Sequence, residues 1–294
     1  MSTTPVIIEV AVNGGTKKDK NPNSPETPDE IAAVALECIE AGASIVHQHD
    51  ASSDAIECAE LGLRTYRTIL SEKPDAICYP TIAFAGNTIE EAWAHNRMLA
   101  EAGVLCMAYL DPGSLNLSGL DETGAPDSGD FVYVNSNKDI RWLMGQCSEL
   151  NLGPSMAIFD SSFLRNAVAY KKSGLLPKGA FAKLYFCDDK DRLSFGLWPT
   201  EASLNVYLEM LEGSSIPWAS AVLSGDLVES GMAELTLKSG GHLRVGLEDY
   251  GGSGTPTNLE LVEAAVDIVK TLGYIVATPA QTAEILALPQ VESS

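Results

Sequence analysis

Eight short apolar runs, each followed by a longer stretch, constrain this chain more than any other feature. The runs are 6–12 (VIIEVAV), 43–49 (ASIVHQH), 76–82 (AICYPTI), 104–110 (VLCMAYL), 154–160 (PSMAIFD), 181–187 (FAKLYFC), 217–223 (PWASAVL) and 242–248 (HLRVGLE). Their length and bounding turn residues predict strands, and the intervening segments carry helical periodicity. The first such segment shows how a helix is punctuated. Thr27 stands as N-cap, Glu30 completes a capping box and Gly42 follows the last turn. A final segment, 278–288, predicts a helix that closes the chain. Eight strands alternating with helices predict an α/β fold, the (β/α)8 TIM barrel, as a single domain over 1–294. The rival is an open doubly wound sheet, which wants a glycine-rich phosphate turn directly after the first strand. Gly14-Gly15 lies there without the GxGxxG spacing, and the connection to the next helix is too long for a tight turn. No repeat or linker divides the chain, and 112–137 reads as a long polar loop after strand four.

The net charge of −21 argues against a nucleic-acid surface or an anionic-membrane binder, since both need a basic patch. An anionic substrate would need local positive charge from a metal, an arginine or a helix N-terminus. Six cysteines lack CxxC spacing and several fall inside apolar runs, so they are expected to be reduced and structural. The N-terminus lacks a basic segment leading into a long apolar one, and no run reaches the length of a membrane span. A cytoplasmic protein is the expectation.

Two of only four histidines, His47 and His49, close the second run. Residues i and i+2 of a strand share a face, and the C-terminal ends of barrel strands build active sites. The pair is either half of a metal site or two hydrogen-bonded, partly buried histidines. A catalytic zinc site wants a third protein ligand and an open position. Strand eight offers Glu248, on one face with Arg244 and Gly246 by alternation; otherwise Glu248 is a solvated strand-end carboxylate. Arg244 lies deeper and needs a partner if buried, and Glu9 on neighbouring strand one is the candidate. His95 is expected to be exposed and His242 structural. The glycine-rich segment 251–258 before a helix is either an anion site or a plain turn.

The stretches EAGASIVHQHD (40–50), GGHLRVGLED (240–249), SPETPDEIA (24–32), DPGSLNL (111–117) and ATPAQTAEIL (277–286) together resemble the β-keto acid cleavage enzymes, the family that includes 3-keto-5-aminohexanoate cleavage enzyme. The resemblance runs through essentially the whole chain. It implies a (β/α)8 barrel, usually oligomeric and expected as a homo-tetramer, with a divalent metal, typically zinc. It implies condensation of a β-keto acid with acetyl-CoA, then cleavage to acetoacetate and a new CoA ester. The metal ligands carry over to His47, His49 and Glu248, the catalytic arginine and aspartate to Arg244 and Asp249, and a small hydroxyl residue to Thr81. By strand alternation Asp249 points away from Glu248, so it reaches the site only if the strand has ended or bulged there.

The chain also departs from the family pattern. Thr16 stands for a glutamate of the strand-one loop, Ser155-Met156-Ala157 for an ExE, residues 187–199 for a GVPGG-type loop, and Tyr109 for a threonine. These departures bear on the substrate rather than on the metal or the reaction class, and Tyr109 and the 188–198 loop are expected to shape the pocket. Lys17, Lys18 and Lys20 either bind a CoA phosphate or substrate carboxylate, or form a solvated loop. Outside the resemblance, two readings stay open: a metal-dependent hydrolase or aldolase without CoA, and a non-catalytic metal-binding barrel.

Overall fold

The computed structural model describes residues 5–83, 86–188 and 193–289. Eight parallel strands follow in order: β1 (Ile8–Ala11), β2 (Ile45–Gln48), β3 (Ile77–Pro80), β4 (Met107–Tyr109), β5 (Gly153–Ile158), β6 (Phe181–Cys187), β7 (Trp218–Leu223) and β8 (His242–Val245). Hydrogen bonding runs β3-β2-β1-β8-β7-β6-β5-β4. β3 and β4 pack side by side at the seam of this nearly closed (β/α)8 barrel. Helices α1 (Pro28–Ala41), α2 (Ala55–Glu72), α3 (Ile89–Glu101), α4 (Asn137–Glu149), α5 (Ser161–Lys172), α6 (Glu201–Leu211), α7 (Met232–Lys238) and α8 (Asn258–Thr271) surround it, and α9 (Pro279–Leu286) comes last.

Alternation along each strand divides the core. Outward residues such as Val10, Val46, Cys78, Ile158 and Leu184 pack against Ile31, Tyr66, Trp93, Phe163 and Val262 of the helices. Inward residues Ile7, Ile45, Ile77, Met107, Phe181 and Ala219, together with Leu286 of α9, plug one end of the barrel. The next inward positions along the strands are polar: Glu9, His47, Tyr79, Ser155, Lys183 and Arg244 are all buried. The apolar plug is therefore the floor on which a charged layer rests.

Local signals behave as their chemistry dictates. Thr27 and Glu30 form the capping box of α1, with Pro28 in the first turn and Gly42 at its end; such a cap contributes about 1 kcal/mol. All six cysteines are buried free thiols. The 112–137 loop carries bridges between Leu115 and Tyr133 and between Leu120 and Pro126, and Gly119 bridges to Leu193 beyond β6. It therefore lies across the mouth between β4 and β6.

Two expectations require correction. Strand eight does not run to residue 248 but stops at Val245. Gly246 has φ 130°, and a Cβ there would sit 2.2 Å from the Ala11 carbonyl oxygen of β1, so only glycine lets the chain turn this close to its neighbour. His95 is not exposed. It is buried on α3, with its Nε2 2.7 Å from the Thr81 carbonyl oxygen. The polar residues around it in sequence concealed a face turned toward β3. His242 is structural as expected, its Nδ1 accepting from the Ile7 N–H at 3.1 Å.

Candidate active site

The turn after β8 assembles the site. Asp249 and Tyr250 both donate their N–H to the Gly246 carbonyl, at 3.2 and 3.1 Å, while the Glu248 N–H reaches Ala11 of β1 at 3.2 Å. Once the strand has ended, the period of two no longer applies, and Glu248 and Asp249 both turn toward Arg244. Arg244 Nη2 lies 3.1 Å from Glu248. Arg244 also donates Nε and Nη2 to the two oxygens of Asp249 at 2.8 and 3.2 Å, and Nη1 to Glu9 at 2.6 Å.

His47, His49 and Glu248 offer three ligand atoms within 4.8 Å of one another. Their chemistry fits a cation. His47 Nδ1 lies 3.2 Å from the Tyr79 carbonyl oxygen; a carbonyl only accepts, so Nδ1 carries the proton. Burial holds the His47 pKa well below the ordinary histidine value, which keeps the ring neutral. The lone pair of Nε2 then faces Glu248 Oε2 at 3.3 Å, and that buried oxygen has no hydrogen-bond partner. Two acceptors face each other with no proton between them, an arrangement that a divalent ion resolves. A metal-binding imidazole whose other N–H is held by a backbone carbonyl is the usual supporting geometry. His49 Nε2 lies 3.4 Å from the other Glu248 oxygen. Burial works to raise the Glu248 pKa, but the groups around it, Arg244 among them, hold it well below the usual carboxylate range. With His47 neutral, the guanidinium of Arg244 is the charge that keeps Glu248 ionised.

Several residues that the sequence did not single out hold this group. Asn13 grips the His49 backbone like a paired strand, its Oδ1 accepting the His49 N–H at 2.8 Å and its Nδ2 donating to the His49 carbonyl at 2.9 Å. Gly14, at φ 54°, leaves room for Glu248: a Cβ there would lie 2.1 Å from Glu248 Cγ. Gly14→Ala is therefore expected to displace the carboxylate and weaken metal binding about 10–100-fold, in line with changes to groups that orient ligands. Titration with a chromophoric chelator measures this, and unchanged affinity would remove Gly14 from the account. Tyr79 stacks on His47, with ring centroids 4.5 Å apart. Its hydroxyl donates to Glu9 at 2.6 Å and accepts from Lys183 Nζ at 2.9 Å.

His47, His49, Tyr79, Arg244 and Glu248 line a cavity of about 160 Å³, room for a small acid, with walls that include Thr81, Tyr109, Asp111, Tyr133, Tyr185 and Lys183. Thr81 lines the cavity, and its carbonyl is held by His95 and Asn96 of α3. Tyr109 hydrogen-bonds Tyr133 of the long loop, whose hydroxyl donates to Asp111 at 2.7 Å. Asp249 is set back behind Arg244, at a separate cavity of about 30 Å³. Burial pushes its carboxyl up to about 6 against the pull of Arg244. Of the 188–198 loop, residues 189–192 lie outside the described residues. Lys18 pairs with Glu30 at 2.5 Å on an exposed surface, in keeping with a solvated loop. A cavity of about 440 Å³ at the plugged end has no histidine or basic residue in its lining.

Residues 5–288 match the family described as beta-keto acid cleavage enzyme. The chain belongs to that family. It is 30% identical over 292 residues to the 3-keto-5-aminohexanoate cleavage enzyme of Fusobacterium nucleatum, covering 96% of this chain and 98% of the relative. It is 28% identical over 300 residues to the 3-oxoadipate:acetyl-CoA acetyltransferase of Cupriavidus necator, covering 99% and 97%. Among solved structures, ObcA with oxaloacetate superposes with a TM-score of 0.69 at 15% identity over 92% of this chain and 68% of that one. The type I 3-dehydroquinate dehydratase of Clostridium difficile gives 0.53 at 12% identity over 91% and 94%. At these identities the structural likenesses speak for the barrel alone. Members of the family are β-keto acid:acetyl-CoA transferases. Among the described residues no helix is long and apolar enough to cross a membrane.

Proposed function

We propose that this β-keto acid cleavage enzyme works with a divalent metal, zinc by preference, held by His47, His49 and Glu248. The opposed lone pairs of His47 Nε2 and Glu248 Oε2 at 3.3 Å are the observation that carries this reading. The net reaction moves an acyl group: R–CO–CH2–COO⁻ and acetyl-CoA become acetoacetate and R–CO–CoA. The bond between the ketone carbon and C2 breaks and one between C2 and the acetyl carbonyl forms, while the CoA sulfur leaves the acetyl carbonyl and bonds the R–CO carbon. When bound, the metal supplies Lewis acidity toward the ketone and carboxylate oxygens of the acid.

The chain's own groups do the rest. The resemblance makes Asp249 the base at C2; it stands behind Arg244 and outside the cavity wall, so it reaches C2 only when Arg244 shifts aside, and its raised pKa suits it to give that proton back near neutrality. Arg244 lines the cavity and holds Asp249 by two hydrogen bonds, so it orients the base and offsets negative charge as it develops. Because both oxygens of Asp249 accept from Arg244, one of these bonds must loosen for the carboxylate to take a proton. Thr81, the small hydroxyl residue that the resemblance assigns to the site, lines the cavity. The resemblance adds a homo-tetramer.

The test is a set of β-keto acids assayed with and without acetyl-CoA, reading acetoacetate and the new CoA ester together. Turnover without acetyl-CoA would point to a hydrolase or aldolase instead, and no turnover with intact metal binding to a binding protein. Asp249→Asn is expected to lower kcat by about 10²–10⁴-fold with metal content and folding retained. A loss under about tenfold would make Asp249 a positioning residue rather than the base.

A further inference from the structure

Lys183 is the cation of this cavity that the family reaction leaves without a task. It leaves β6 on the wall across the barrel from β1, β2 and β8 and is fully buried. Its ammonium donates to two neutral hydroxyls, Tyr79 at 2.9 Å and Ser155 at a short contact. No carboxylate bonds it directly. Glu9 Oε1 is 3.9 Å away and already accepts from Tyr79 and from Arg244, both at 2.6 Å. The other Glu9 oxygen has no hydrogen-bond partner, so Lys183 does not reach it either. Asp111, another carboxylate of the cavity, is taken by the Ala157 N–H at 2.7 Å and the Tyr133 hydroxyl at 2.7 Å. Ser155 and Ala157 are small and uncharged, so the β5 wall beside Lys183 supplies space but no counter-charge.

A buried ammonium without a bonded anion is costly. Burial accordingly lowers the Lys183 pKa. An ammonium has three donors, two are used here, and the side chain lines the substrate cavity. The missing partner is therefore a group that arrives with the substrate. If the keto and carboxylate oxygens of a β-keto acid occupy the end of the cavity bounded by His47, His49 and Glu248, the side chain of the acid turns toward Lys183 and Ser155, beside the Tyr79 hydroxyl that Arg244 Nη1 also meets at 3.3 Å.

We infer that Lys183 is a specificity residue that selects β-keto acids carrying a second carboxylate at the far end of the side chain. This rests on the β-keto acid reading of the site and goes beyond it by naming the substrate class. Both substrate carboxylates then meet a cationic side chain in a protein whose net charge is −21, and a bound carboxylate in turn favours the charged form of Lys183.

The experiment compares kcat/KM for a β-keto dicarboxylic acid of six carbons with that for 3-oxohexanoate, both with acetyl-CoA. Wild type is expected to favour the diacid. Lys183→Met is expected to raise KM for the diacid and cut that preference roughly thirtyfold, the low end for removing one partner of a buried charge pair. Lys183→Arg is expected to restore part of it. Ser155→Glu provides an independent arm, because it sets a carboxylate against the ammonium without removing it and should erase the same preference. Equal losses on both substrates in Lys183→Met would overturn the inference, because Lys183 would then be serving the carboxylate that every substrate shares. A wild type that prefers 3-oxohexanoate would overturn it as well, while leaving the β-keto acid reaction intact. If neither acid consumed acetyl-CoA, the underlying function would fail instead.

Discussion

Glu248→Ala and His47→Ala are each expected to leave the purified protein without bound metal and to reduce turnover to background. Wild type should hold about one ion per chain, as expected of a site with three protein ligands and an open position. Elemental analysis of dialysed protein measures the stoichiometry directly. The expected loss of rate is most of the enzyme's advantage over the uncatalysed reaction, typically at least about 10⁶-fold. Folding should survive, since the floor beneath the site is an apolar plug that neither side chain joins. The two variants differ in what they leave behind. His47→Ala leaves Glu248 still paired with Arg244 at 3.1 Å, whereas Glu248→Ala leaves two imidazoles with no anion between them. Residual weak metal uptake should thus be greater in His47→Ala. Full stoichiometry in both would end the ligand assignment.

The second large effect concerns stability. Arg244→Met is expected to cost about 3–5 kcal/mol, the usual penalty for removing one partner of a buried ion pair. Glu9 and Asp249 are both buried and both lean on this guanidinium. Lys183, 3.9 Å from Glu9, is too far to replace it. Arg244→Lys should recover little, because an ammonium does not reproduce the fork that meets Asp249 through Nε and Nη2 while Nη1 holds Glu9. Urea denaturation of the metal-free proteins isolates the effect from metal binding. A cost under about 1 kcal/mol, the range of a solvated pair, would mean that water reaches this layer.

The barrel was legible in the chain because its strands are short, apolar and evenly separated by capped helices. The bounds of β6 were readable to the residue, and Thr27, Glu30 and Gly42 act as their types predict. The geometry of the candidate metal site was half legible. His47 and His49 share a face by strand period, but β8 ends at Gly246, and the turn there is what brings Glu248 and Asp249 together. Alternation alone had set Asp249 on the wrong side. Asn13, Gly14 and Tyr79 escaped because their roles depend on cross-chain distance. Asn13 meets a backbone 36 residues away, and Gly14 matters only for the side chain that fills its missing Cβ. His95 was misread because helical neighbours in sequence say nothing about which face meets a strand.

The 112–137 loop has a consequence for how such a protein changes over time. It contributes Tyr133 to the cavity and ties back to Asp111 and Tyr109 on the β4 side, whereas the three candidate ligands and Arg244 lie on β2 and β8 or in the turns just after them, with Glu9 on β1 between the two strands. One side of the barrel thus holds what every reaction of this kind requires, and the other holds what distinguishes one acid from the next. Replacing an insert on the second side leaves the first untouched, so a lineage built on this plan acquires new diets by exchanging a loop rather than by rebuilding an engine.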